Sequence, residues 1–220
     1  MAKLEEQISR TLSRGMSLPD AFSRLFVWIE ENHLYVDTKN GRIGFLYPEH
    51  EIKSGWTKYG RPGGTNIEFA AEGNANLKYW FGHERTEVME RLCVFAKTGA
   101  EGSMAAFWLD PNGQQKIVHL GSGSGSTTVC VLALDAVDFL RLLAIGYDEI
   151  CWGDQFSAPP NAGSEPLFSV APNEKFQEWL RATFNVTVPS IGLDIVPHPD
   201  DMHNASSKDA FNRWVAANVA

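Results

Sequence analysis

The chain has 220 residues, of which 44% are hydrophobic and 21% are charged, and its formal net charge is −8. This balance is typical of one compact, soluble domain, so we predict a single domain over residues 1–220. A negative net charge disfavours nucleic acid as a partner. The absence of a secretory signal and of an apolar run of ~18 residues predicts cytoplasmic residence and no membrane partner.

The first part of the chain predicts two helices. Apolar residues at helical spacing predict a first helix that is closed by Gly15. A second helix is expected to begin near Pro19, with Ser17 as its N-cap and with Phe22 on its buried stripe.

Short apolar runs then predict a β-hairpin that is followed by a long loop. The runs 34–37 and 43–47 flank Asn40-Gly41, a pair that tolerates the positive φ angles of a tight hairpin turn. Glycine and proline recur over residues 48–66, which predicts a loop before a short strand at 67–70.

The middle of the chain predicts a meandering sheet that leads into one helix. Four runs rich in Val, Ile, Phe and Trp are separated by turn residues, and they cover 92–97, 103–110, 115–120 and 127–134. The Gly/Ser loop at residues 121–126 is expected to be a mobile hairpin tip. A helix is predicted to begin at Asp135 and to end at Gly146.

Short motifs follow one another in this region. They are Gly102 after a strand, Phe107–Asp110 before a hairpin turn, Lys116–Val118 after it, and Ala136–Leu140, which contains a Phe-Leu pair at the start of the helix. This order resembles the core of the SUKH superfamily, which includes fungal cell-wall-assembly regulators and many bacterial immunity proteins that block secreted toxins. The resemblance implies a SUKH-like α+β fold and a toxin-binding role.

The last third of the chain predicts two more helices that dock on the core. They cover 173–183 and 207–219, and residues 152–166 before them predict an ordered surface loop. Together these elements predict an α+β fold, in which a mostly antiparallel sheet of about six strands carries packed helices, with helical extensions at both termini.

Acidic residues are concentrated in one fifth of the chain. Between Asp135 and Glu178, eight acidic residues face two basic ones, a local charge of −6. Such a field attracts a cationic partner, and solvated helix faces are the alternative explanation. The residues expected to contact the partner are Asp138, Asp148, Glu149, Trp152 and Asp154. Aromatic residues in loop-like sequence are further candidate anchors, namely Trp56, Tyr59, Trp80 and Trp152.

One segment could carry metal chemistry. His198-Pro199-Asp200-Asp201, with His203 close behind, resembles the metal motif of zinc-dependent amide deacetylases, since imidazole and carboxylate at this spacing can ligate zinc. That family has a long fold after its motif, whereas only 17 residues follow His203 here, which favours a proline-anchored turn before the last helix. The three cysteines form no CxxC pair, and their odd number argues against a disulfide framework.

These observations predict an immunity protein that neutralises a cognate secreted toxin, a basic nuclease or deaminase, through an acidic surface. Such a protein is not an enzyme and requires no cofactor or metal. Two alternatives stay open: a non-enzymatic adaptor or regulatory protein of the same fold, and a metal-dependent hydrolase that uses residues 198–203. The identity of the toxin and the oligomeric state are also open.

Overall fold

The computed structural model describes residues 1–48, 50–51, 65–163 and 169–219. Within these ranges the chain forms a seven-stranded antiparallel sheet with α-helices packed against it, which confirms the predicted α+β class. Most of the predicted 48–66 loop, the candidate anchors Trp56 and Tyr59, and the acidic residue Glu165 lie outside the described residues. Every helix in the described ranges is too short or too polar to traverse a bilayer.

The strands follow one another across the sheet in the order of the sequence, and each neighbouring pair is antiparallel. Their bounds are β1 Tyr35–Thr38, β2 Gly41–Gly44, β3 Glu68–Gly73, β4 Leu92–Lys97, β5 Met104–Leu109, β6 Gln115–Leu120 and β7 Val129–Ala133. The sheet has seven strands where about six were expected, and each strand overlaps one of the predicted apolar runs. Strands β1 and β7 are its two edges.

Seven α-helices accompany the sheet in the described residues. They are α1 Lys3–Ser9, α2 Asp20–Glu31, α3 Leu77–Phe81, α4 Thr86–Met89, α5 Ala136–Ile145, α6 Glu174–Phe184 and α7 Ala210–Ala216, and two 3-10 helices cover Gly153–Ser157 and Gly192–Asp194. The sequence did not predict α3 and α4, because helices of five and four residues are too short to show a helical period.

Three local predictions need correction. The first helix ends at Ser9 and not at Gly15. Ser17 does not cap α2, since its main-chain N–H and C=O are both hydrogen-bonded to the side chain of Gln115 and the helix begins after Pro19. The first hairpin is present as predicted, but Gly41 rather than Asn40 has the positive φ angle, +131°.

The sheet is buried on both faces, because successive side chains of a strand point to opposite sides. In β5, Ala105 and Phe107 belong to a larger core, whereas Ala106 and Trp108 belong to a smaller one. Residues of α1, α2, α5 and α6 complete the larger core, and residues of α3, α4 and α7 complete the smaller one. Burial on both sides explains why the central strands are almost continuously apolar in sequence.

Phe22 of α2 lies at the centre of the larger core. Its ring centroid is 5.0 Å from that of Phe95, 5.2 Å from that of Phe107 and 5.8 Å from that of Phe139. Aromatic pairs at these distances add to the stabilisation that burial itself provides. The cluster fixes α2 and α5 against the middle of the sheet.

Trp108 has the corresponding role in the smaller core. Its side chain is fully buried, and its ring centroid lies 5.1 Å from Phe211 and 5.6 Å from Trp214, both on α7. These contacts dock the C-terminal helix on the sheet and bring the residues that precede it to the edge formed by β7.

Candidate functional site

The edge of the sheet at β7 is covered by residues 200–212, termed here the edge-covering segment. The main-chain oxygen of Asp200 accepts a hydrogen bond from the Val129 N–H at 2.8 Å. Asp209 Oδ2 accepts one from the Val131 N–H at 3.0 Å. These bonds satisfy main-chain groups that an edge strand would otherwise leave without a partner.

The same segment contains the histidine and aspartate motif. Asp201 forms an isolated antiparallel bridge with Thr128, and Asp200 Oδ2 accepts a hydrogen bond from Ser207 Oγ at 2.5 Å. Among the described residues, no three His, Cys, Asp or Glu side chains lie where they could share a metal ion. The motif therefore attaches the C-terminal segment to the sheet, and the hydrolase alternative gains no ligand set from it.

The Gly/Ser loop at residues 121–126 connects the antiparallel strands β6 and β7, and both of its ends are hydrogen-bonded to other segments. Trp80 Nε1 donates to the main-chain oxygen of Gly121 at 2.7 Å, and Ser126 Oγ donates to the main-chain oxygen of Cys151. A Cβ atom at Gly121 would lie 2.6 Å from the Ser126 oxygen, so only glycine fits there. Gly125 of this loop lines the cleft described next.

An open cleft of about 560 Å³, termed the acidic cleft, lies beside this loop. Its lining includes Thr127, Trp152, Asp154, Leu193, Pro199 and Asp201. Asp154 and Asp201 are exposed, and within the described part of the chain no lysine or arginine lines the cleft. The cleft therefore combines negative charge with an aromatic and an aliphatic side chain.

Glu149 holds Trp152 in the wall of the acidic cleft. Trp152 Nε1 donates to Glu149 Oε2 at 3.0 Å, and the Ala100 N–H donates to Glu149 Oε1 at 2.8 Å. Glu149 is only 8% exposed, so its carboxylate faces the interior. This corrects the expectation that Glu149 contacts a partner: it positions the indole that does line the cleft.

Two other acidic candidates lie away from the cleft. Asp138 is on α5 and forms an ion pair with Arg141 at 2.6 Å, and Asp148 is half-buried; neither residue lines the cleft. Of the five predicted contact residues, only Trp152 and Asp154 meet there. The predicted acidic surface is thus smaller than the clustering of acids in the sequence suggested.

The sequence did not reveal that Leu193 and Asp201 belong to the same cleft. Leu193 is 39% exposed and lies on a short 3-10 helix, where no periodic pattern marks it. Asp201 was recognisable in the sequence as part of the histidine and aspartate motif, but that motif suggested metal binding. Its side chain instead adds negative charge to the cleft.

The three cysteines and His119 are buried side chains. All three cysteines are free and buried, and burial raises the pKa of each thiol. His119 Nδ1 lies 2.8 Å from the Thr128 oxygen and Nε2 lies 2.9 Å from Thr98 Oγ1. Burial lowers the pKa of His119 to about 4, so the imidazole is neutral at pH 7. These groups pack the interior and present no reactive atom to the cleft.

Comparison of the chain with family models, with curated proteins and with solved structures finds no match. The resemblance to the SUKH superfamily therefore stays a prediction that rests on the motifs between Gly102 and Leu140.

Proposed function

We propose that this protein is an immunity protein, which binds a basic protein toxin in the cytoplasm of the producing cell and neutralises it without catalysis. The acidic cleft is the observation that carries the proposal. There, two exposed carboxylates, Asp154 and Asp201, share one concave surface with the half-buried Trp152. The resemblance to SUKH proteins points to the same role.

The cleft has both kinds of group that tight protein interfaces use. Trp152 supplies a large ring whose orientation is set by Glu149, and Leu193 adds an exposed aliphatic side chain. Pre-oriented aromatic side chains are the residues that most often dominate binding energy. A rigid anchor also loses little conformational entropy when the partner binds.

The carboxylates contribute mainly to partner choice and to the rate of association. An exposed ion pair is worth only ~0–1 kcal/mol, so Asp154 and Asp201 alone do not supply high affinity. Charge of one sign in a cleft does steer an oppositely charged protein, and the net charge of −8 extends this field over the whole chain. A basic partner is therefore favoured over an acidic or neutral one.

Capture and rescue experiments test the proposal together. The tagged protein is used to retain partners from the lysate of its native host at low and at high salt, and each retained protein is then expressed alone and with this protein. We expect one basic protein, retained in stoichiometric amount, that arrests growth when expressed alone and is tolerated when co-expressed. Several weak partners that are lost at moderate salt would instead support the adaptor alternative.

A variant with two charge reversals tests whether the acidic cleft is the surface that binds the toxin. Asp154→Lys combined with Asp201→Lys should slow association with the purified toxin about tenfold or more at low salt and abolish rescue. Glu31→Lys changes an exposed acid at the end of α2 and serves as the control, which should leave both properties unchanged. Full rescue by the double variant would remove the cleft from the proposal.

A further inference from the structure

An apolar groove also borders the Gly/Ser loop, where Gly123 lines the groove and Gly125 lines the acidic cleft. It has a volume of about 400 Å³, and its lining includes Tyr79, Trp80, Gly123, Met202, Val215 and Val219. Tyr79 is 78% exposed and Val219 is 42% exposed, although both are large and mainly apolar. Apolar side chains that gather in one concave surface are typical of binding sites rather than of ordinary protein surface.

The apolar groove and the acidic cleft share one wall. In the edge-covering segment, Asp201 lines the cleft and the next residue, Met202, lines the groove. At the start of β7, Thr128 lines the cleft and Val129 lines the groove. Met202 also packs on the loop, since a Cβ atom at Gly123 would lie 3.9 Å from its Sδ atom. The two concave sites therefore adjoin each other along a single ridge.

Main-chain pairing holds this ridge in place. Thr128 and Asp201 form their antiparallel bridge along it, and the Met202 N–H donates to the Thr127 oxygen at 2.6 Å. Because the ridge is fixed before any partner arrives, the distance between the two sites is also fixed. A ligand that fills both then avoids part of the ordering cost of binding.

We propose that the groove and the cleft form one composite docking surface for a single segment of a basic protein, with a large apolar side chain in the groove and a lysine or arginine in the cleft. This inference rests on the proposed function and names the chemistry of the partner's contact segment. Charge determines the occupant: Asp154 and Asp201 attract a cation, whereas a second copy of this chain, with its net charge of −8, is repelled.

The probe for this surface is a short, fluorescently labelled peptide of alternating lysine and leucine, titrated with the full chain and followed by fluorescence anisotropy. Two control peptides replace leucine by serine or lysine by glutamate. We expect the lysine and leucine peptide to bind about tenfold or more tightly than either control, because only that peptide can fill both sites. Equal binding of the three peptides would overturn the composite surface.

Paired substitutions separate the two sites. Tyr79→Ser with Val219→Ser should raise the dissociation constant about tenfold and leave its salt dependence unchanged. Asp154→Asn with Asp201→Asn should raise the dissociation constant and flatten the salt dependence. Leu134→Ser, at a leucine that is 68% exposed and lines neither site, is the matched control and should bind as the wild type does.

The outcomes distinguish this inference from the proposed function. If the variant with Tyr79→Ser and Val219→Ser binds the peptide as the wild type does, while the variant with Asp154→Asn and Asp201→Asn binds it more weakly, the composite surface is overturned and the proposed function stands. Wild-type affinity for the peptide in the variant with Asp154→Asn and Asp201→Asn would also overturn the composite surface, whereas the capture and rescue experiments test the proposed function separately.

Discussion

Replacement of Asp209 by alanine removes a side chain on which two parts of the structure depend. Asp209 Oδ2 accepts the Val131 N–H at 3.0 Å, and Asp209 Oδ1 accepts the Asn212 N–H at 2.8 Å in the first turn of α7. Asp209 is only 5% exposed, so bulk water has little access to either amide when the carboxylate is lost. The substitution uncaps α7 and leaves a main-chain amide of β7 without its acceptor.

The expected change in the free energy of unfolding combines two destabilising effects and one stabilising effect. Loss of an N-cap costs ~0.5–2 kcal/mol, and a buried amide without an acceptor costs ~1–3 kcal/mol. Burial raises the pKa of Asp209, so the charged carboxylate is itself unfavourable in the fold, and alanine removes that cost. We therefore expect the free energy of unfolding to fall by about 2–3 kcal/mol at pH 7.

The pH dependence has a definite sign. A carboxyl group whose pKa is raised in the fold contributes stability below its unfolded value of 3.8, and this stability is lost as the pH rises through the folded pKa. The difference between the wild type and Asp209→Ala should consequently be larger near pH 4 than at pH 7.

Urea unfolding followed by tryptophan fluorescence measures the stability loss, and amide hydrogen exchange at Val131 locates it. Lys208→Ala, at the exposed neighbouring residue, is the control and should change stability by less than ~0.5 kcal/mol. A loss below ~1 kcal/mol in Asp209→Ala, with the Val131 amide still protected, would contradict the role assigned to the Asp209 carboxylate. It would mean that another acceptor replaces the carboxylate.

Two further predictions concern buried groups beside the acidic cleft. His119 has a pKa of about 4 in the fold against 6.5 in the unfolded chain, so acidification from pH 6.5 to 4 should lower the free energy of unfolding by ~3 kcal/mol. The glutamine in His119→Gln does not titrate, so urea unfolding at a series of pH values should show no such loss in this variant. An equal acid loss in both proteins would exclude His119 as its source. Glu149→Gln replaces one acceptor by an amide donor, so the fluorine resonance of 5-fluorotryptophan at position 152 should move while that at Trp80 stays in place. An unmoved Trp152 resonance would show that Glu149 does not orient the indole.

Much of the secondary structure could be predicted because its causes are local. Asp135 caps α5 by accepting the Asp138 N–H at 2.9 Å, and Gly146 ends the helix with a φ angle of +96°. The strands Leu92–Lys97 and Gln115–Leu120 have the predicted bounds. Caps, turn residues and short apolar runs act over a few neighbouring positions, so a single sequence displays them.

The candidate site could be predicted only in part, because it depends on contacts between distant segments. Glu149 and Asp154 are both acidic residues that follow α5, yet one is buried beneath Trp152 and the other is exposed. No local pattern separates them. The cleft forms because residues 200–212 return to β7, and this return is fixed by long-range hydrogen bonds and by the packing of α7, which a single sequence does not display.

The covering of β7 has a consequence for how molecules of this protein meet one another. All five residues of Val129–Ala133 are buried, whereas the opposite edge, β1, ends in the exposed residues Asp37 and Thr38. An apolar strand with open main-chain groups is a template on which other chains add as further strands. Residues 200–212 occupy that template in every molecule, so a chain cut before residue 200 would expose it and is expected to aggregate. Residues 200–212 are thus expected to prevent aggregation as well as to complete the fold.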